Sequence, residues 1–97
     1  MKVEVHASAE WELVKAATFF EEQSPALAVR FLDCLQADIN RLESLAGIHE
    51  QVYGHHRILS QKFQFAIYYV IEGDIARVKA IIDCRRDPDF VKRRLGR

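Results

Sequence analysis

The sequence predicts an α+β fold in the order β-α-α-β-β-β-α: a helical hairpin packed on a small antiparallel sheet, with a short C-terminal helix. Three observations carry that reading. Apolar residues between Ala9 and Leu42 recur at helical spacing, and residues 55–83 are β-branched and aromatic with a period of two. Arg86-Asp87-Pro88 then breaks the last strand ahead of a short charged tail. The 97 residues suffice for one thin core, so 1–97 is read as a single domain. With 49% hydrophobic and 29% charged residues, the composition excludes a disordered or low-complexity chain.

The alternation of Lys2, Val3, Glu4 and Val5 reads as a short strand. It lacks the apolar stretch of a secretory signal, so a cytoplasmic setting is expected. Ser8 ahead of Glu10 and Glu12 is an N-cap with acids in the first turn. Ala9, Leu13, Ala16, Ala17 and Phe20 fall on one face of a helix reaching about Glu22. Ser24-Pro25 starts a second helix, proline being favoured at the first helical position. Ala28, Phe31, Leu32, Leu35, Ile39 and Leu42 extend its apolar stripe toward a C-cap near Gly47. So short a connection makes the two helices an antiparallel hairpin.

Strands are expected over His55–Leu59 and Lys62–Ile71. Phe63, Phe65, Ile67, Tyr69 and Ile71 share the face that meets the hairpin, which leaves Tyr68 on the other as an exposed contact. Gly73-Asp74 supplies a turn into Ile75–Asp83, where Ala76, Val78, Ala80 and Ile82 alternate with Arg77, Lys79 and Ile81. These three strands read as an antiparallel meander. Asp87 then caps a helix over Pro88–Leu95. The longest apolar run, Phe65 to Ile71, is seven residues, so no membrane contact is expected.

Signatures of common chemistries are missing. The four glycines, at 47, 54, 73 and 96, form no phosphate-cradling loop. No G-x-S-x-G elbow and no H-E-x-x-H occurs. His55 and His56 are strand neighbours on opposite faces and cannot chelate one ion, so neither metal nor cofactor is expected. Cys34 and Cys84 are isolated thiols.

Charge is distributed unevenly. Residues 1–54 carry nine acids and four bases, whereas residues 55–97 carry five acids and ten bases. Arg85, Arg86, Lys92, Arg93, Arg94 and Arg97 crowd the last thirteen positions and suggest a basic face for an anionic partner. Arg57 shares a strand face with His55 and Leu59. Placed beside Arg85 and Arg86 it would form a phosphate or carboxylate clamp, a role suited to guanidinium forks. Trp11 lies off the main stripe of the first helix, with Lys15 and Thr18, where a partner patch is expected.

The run Arg57-Ile-Leu-Ser-Gln-Lys-Phe63-Gln-Phe65-Ala-Ile-Tyr68-Tyr69-Val-Ile71, followed by Val78-Lys-Ala-Ile-Ile-Asp-Cys-Arg-Arg86-Asp87-Pro88, resembles the ParE/RelE superfamily of bacterial type II toxins. Ser8-Ala9 and Ala28 through Phe31 extend the likeness over nearly the whole chain. The resemblance implies a plasmid-stabilisation type of toxin, silenced by a small antitoxin in a heterotetramer or larger complex. ParE-like members act on DNA gyrase, and RelE-like members cleave mRNA on the ribosome with a tyrosine or histidine near the C-terminus. Beyond Asp83 this chain has only Phe90 as an aromatic, which has no proton to transfer. The ParE-like branch is therefore expected, with Arg57, Arg85, Arg86, Arg93 and Arg94 binding the target and no sequence-specific contact to nucleic acid. The endoribonuclease alternative would use Arg57, Arg85, Arg86 and His55, and a third alternative is an inactive homologue that only binds antitoxin. The expected antitoxin surface is Trp11, Phe19, Leu27 and Tyr68. One departure from the ParE-like pattern is Asp83, where a histidine is common; an acid there is placed to pair with Arg85 or Arg57.

Overall fold

The computed structural model describes residues 1–96, and Arg97 lies outside the described residues. The elements are β1 (Lys2–Val5), α1 (Ala7–Gln23), α2 (Pro25–Asn40), α3 (Leu42–Leu45), β2 (Gln51–Val52), β3 (His55–Ser60), β4 (Phe65–Glu72), β5 (Ile75–Asp83) and α4 (Pro88–Gly96). The architecture is α+β, as the sequence predicts. The sheet has five strands in the order β1-β5-β4-β3-β2. The meander β3-β4-β5 is antiparallel, but β1 joins β5 in parallel, so the sheet is mixed. The α1–α2 hairpin carries the chain from β1 across the sheet to β2 at the far edge, and the meander then returns to place β5 beside β1.

Several element bounds differ from the sequence reading for local reasons. His6, rather than Ser8, caps α1: its Nδ1 accepts from the Ser8 N–H at 3.1 Å, and its carbonyl accepts from Ala9 and Glu10. The second helix stops at Asn40 instead of running to Gly47. The chain turns at Arg41 into α3, where the amino terminus of Met1 donates to the Glu43 carbonyl at 3.1 Å. Phe63 belongs to the turn before β4, whose residue Gln64 has φ 55°. A two-residue turn joins β2 to β3, with positive φ at both Tyr53 and Gly54 as tight hairpins require.

The main core lies between the hairpin and one sheet face. Phe31, Leu35, Ile39 and Leu42 meet Ile67, Tyr69, Ala76 and Val78 there. Phe20, Phe31, Phe63 and Phe65 interlock at one end, with Phe31 4.9 Å from Phe20 and 5.1 Å from Phe65 between ring centroids.

A single bulge builds a second core. Tyr68 opposes Ala80 and Tyr69 opposes Val78, so Lys79 is the extra residue. Ala76 and Val78 face the hairpin, whereas Ala80 and Ile82 face the opposite side, where Ala66, Tyr68 and Leu95 pack with Phe90 and Val91 of α4. The uninterrupted alternation expected across β5 is therefore corrected. So is the exposure expected for Tyr68, which is 4% exposed because α4 covers that face. No helix among the described residues is long and apolar enough to cross a membrane.

Phe31 is fully buried at the centre of the aromatic cluster. Phe31→Ala is expected to cost about 3–5 kcal/mol in denaturant unfolding, through lost contacts and the cavity left behind. A loss under about 1 kcal/mol would show that the cluster does not hold the hairpin to the sheet.

Candidate functional site

Two concave regions lie on either side of the end of β5, and the one on the hairpin side starts from a mismatch in strand length. β1 has four residues and pairs with β5 only as far as Val78. The backbone of β5 beyond that point needs other partners. The Glu12 carboxylate accepts from the Ile81 N–H at 3.0 Å, and the Lys79 carbonyl accepts from Arg94 Nη2 at 2.9 Å. Arg94 also donates to Glu12 at 2.9 and 3.1 Å and to the Ser8 hydroxyl at 3.1 Å. One carboxylate and one guanidinium thus replace the missing strand and tie α4 to α1.

A groove of about 680 Å³ follows this edge. Trp11, Lys15 and Phe19, spaced four apart on α1, form one wall, while Phe20, Phe65 and Ile81 line its apolar interior. Trp11 is 63% exposed and Phe19 54%, a large apolar outlay that folding leaves unused. Lys15, Arg85, Arg86 and Arg94 against Glu12 and Asp83 make the lining net basic. Of the residues expected to bind a partner, Trp11 and Phe19 come together here. Leu27 is half-buried on α2 outside the groove lining, and Tyr68 belongs to the opposite face of the sheet.

On that opposite face a cavity of about 360 Å³ holds Arg57, Tyr68, Cys84 and Arg86 beneath Pro88 and Val91 of α4. Arg57 and Tyr68 are direct cross-strand partners, so the register of β3 with β4 places the phenol beside the guanidinium. Burial, only partly offset by Arg57, pushes the Tyr68 hydroxyl above its usual range and keeps it a neutral proton donor. Burial and the neighbouring Asp83 charge likewise raise the Cys84 thiol. Burial opposes the charge on Arg57, but its hydrogen bond and ion pair with Glu50, with a further contribution from Tyr68, raise its pKa overall. Its Nε is buried with no hydrogen-bond partner among the described residues.

The arginines expected to act together divide into two groups. Arg57 is held by Glu50, Arg94 by Glu12, and Arg85 by both oxygens of Asp83 at 3.0 and 2.7 Å. Arg86 lies over the Phe90 ring at 3.7 Å and lines both concavities. Among the described residues, Arg86 and Arg93 are the two of these five with no carboxylate partner. The single free cationic lip that the sequence suggests is thereby reduced, because Asp83 neutralises Arg85 and Glu12 takes Arg94 into the fold. His55, the candidate proton carrier of the nuclease alternative, has its Nδ1 3.0 Å from the Tyr53 carbonyl and is not part of the cavity lining. Tyr68, expected on an exposed antitoxin surface, is instead a buried phenol beside Arg57 in this cavity, a placement that follows from the cross-strand register. Among the described residues no cluster of three His, Cys, Asp or Glu side chains could hold a metal ion.

The class defined by this geometry is an α+β protein with a helical hairpin on one sheet face, a short helix on the other, and a basic, aromatic-rimmed groove at the strand edge. No protein-family profile matches the sequence, and no curated protein does either. Its fold is similar to a solved chain described as the chromosomal ParDE TA system from P. aeruginosa. The TM-score is 0.78 at 15% identity, over 86% of this chain and 95% of that one. At that identity the likeness establishes the fold.

Hydrogen bonding from Arg85, opposed by partial burial, sets the Asp83 carboxyl below its ordinary value of 3.8. Its stabilising contribution is therefore present above pH 3.8 and lost as pH falls through the lower folded value. A carboxyl carbon NMR titration is expected to show a midpoint below 3.8 that moves up in Arg85→Gln. An unchanged midpoint in that variant would contradict the pairing.

Proposed function

We propose that this chain is the toxin component of a type II toxin–antitoxin pair of the ParE-like kind. The observation that carries the proposal is the groove along β5. Trp11 and Phe19 stand exposed on its wall, and its lining is net basic. An antitoxin segment rich in apolar and acidic residues fits both properties, since aromatic anchors supply contact area and the basic lining selects charge. The likeness to a chain of a ParDE TA system supports the same reading. The target within this reading is DNA gyrase, engaged through Arg86 and Arg93, which have no carboxylate partner among the described residues. In a supercoiling assay, wild type is expected to inhibit, with the effect lost in the Arg86→Ala, Arg93→Ala double variant. Absence of inhibition by wild type at excess would reject gyrase as the target.

A second reading has one specific observation behind it. The neutral Tyr68 phenol shares a cavity with Arg57 and Arg86, an arrangement that could donate a proton and hold a phosphate, as ribosome-dependent mRNA cleavage needs. Cleavage of ribosome-bound mRNA by wild type, abolished in Tyr68→Phe, would favour it. Intact mRNA would eliminate it.

The antitoxin reading is tested most simply by binding. Co-expression with the product of the adjacent small reading frame is expected to yield a complex and to raise thermal stability, as a ligand selective for the native state must. Trp11→Ala is expected to weaken that complex by about tenfold or more while leaving the far-UV spectrum unchanged. Unaltered affinity would remove the groove from the interface.

A further inference from the structure

On the hairpin side of the sheet, away from the groove, two histidines close over a buried tyrosine. Tyr69 is fully buried in β4. Its hydroxyl accepts the Gly47 N–H at 2.9 Å and lies 2.6 Å from Nδ1 of His49. The His56 ring stacks on the Tyr69 ring at 5.0 Å and an angle of 21°, and its Nδ1 lies 2.7 Å from the His49 carbonyl. Donor and acceptor roles follow from chemistry. The Gly47 N–H can only donate, so the phenol accepts from it and has its own hydrogen to give. The Nδ1 of a neutral His49 is the available acceptor. His56 Nδ1–H donates to the carbonyl, a role that its protonated form retains.

We infer that this cluster is an acid-sensitive latch: protonation of His49 at Nδ1 disrupts its bond with Tyr69 and releases the segment from Gly47 to Val52. The added proton, taken from solvent, lies between two atoms that already share one hydrogen. The phenol would have to accept from both Gly47 and His49, and its own hydrogen would lose its acceptor in a buried place. His56 adds to the effect, because a second imidazolium beside the first is repelled. Burial first, and the charge of His56 second, lower His49 below its ordinary 6.5. The folded state thus resists a proton that the unfolded chain accepts. The latch is intact above 6.5 and weakens as pH falls below it.

Other titratable groups on the surrounding elements are engaged elsewhere. Asp38 on α2 pairs with Arg41, and Glu72 on β4 pairs with Arg77. Glu50 pairs with Arg57 of β3, and His55 meets the Tyr53 carbonyl. The charged amino terminus of Met1 donates to the backbone carbonyl of Glu43 in α3. Among the described residues no carboxylate contacts either histidine, so none offsets the added charge.

The released segment reaches the cavity around Arg57. Glu50, which holds Arg57, follows His49 directly, and Val52 lines the cavity that contains Arg57, Tyr68 and Arg86. Opening the latch would uncover the Arg57 guanidinium and widen that cavity. The inference does not depend on what the cavity binds.

Amide hydrogen exchange on the intact chain, corrected for intrinsic rates, tests this directly. Between about pH 7.5 and about pH 5, protection at Gly47 and Arg57 is expected to fall by about tenfold, with β4 and β5 amides unchanged. His49→Asn, which can still accept from the phenol, is expected to abolish that pH dependence. His56→Asn, which removes the repulsion, is expected to raise the His49 midpoint in a proton NMR titration. Protection that stays constant across this range in wild type would overturn the inference, as would an unchanged pH dependence in His49→Asn.

Discussion

A strand of nine residues beside one of four is the constraint on which the rest of this molecule depends. The parallel ladder between β1 and β5 ends at Val78, and the polar backbone of β5 continues past it. Buried backbone groups without partners are costly, so the edge requires a substitute. Glu12 and Arg94 provide it, each meeting a backbone group of β5 while bonding to the other. Because side chains rather than a strand complete the edge, a groove remains open beside them. Arg94 also ties the last helix to the first. The exposed aromatics of α1 border a groove whose existence follows from that mismatch.

The bulge at Lys79 acts on the same strand in the perpendicular direction. One extra residue moves Ala80 and Ile82 from the hairpin face to the back of the sheet. That shift gives α4 an apolar seat among Tyr68, Ala80 and Ile82. It also brings the end of β5, with Arg86, against the cavity that Arg57 and Tyr68 occupy. Edge capping and bulge together place two recesses around Asp83, which lines both.

The uneven charge of the two chain halves serves the fold as much as any partner. Glu4 pairs with Arg77, Glu12 with Arg94 and Glu50 with Arg57, each an acid of the first half meeting a base of the second. Pairs as exposed as Glu4–Arg77 and Glu50–Arg57 contribute little individually, but all three remove cations from the surface that the bare sequence counts as free. Among the described residues, the target candidates left without a carboxylate partner are Arg86 and Arg93. The sequence reading recovered the helices and the meander, because helical stripes, the Ser24-Pro25 start and strand alternation are local signals. Of the four residues it assigned to one partner surface, Trp11 and Phe19 line the same groove, whereas Leu27 and Tyr68 do not. It missed the parallel partner of β1, the turn at Arg41 and the bulge, since each depends on contacts distant in sequence. The error over Tyr68 followed from the last of these: its face appears exposed until α4 is known to pack there.

The central claim is that Glu12 stands in for a missing strand and thereby holds α4 in place. Amide exchange at Ile81 and across 88–96, compared between wild type and Glu12→Ala, tests it most directly. Wild type should protect Ile81 to the level of ladder-bonded strand amides, and the variant should lose that protection together with protection across α4, with β4 unaffected. Exchange across α4 that is identical in the two proteins would contradict the account.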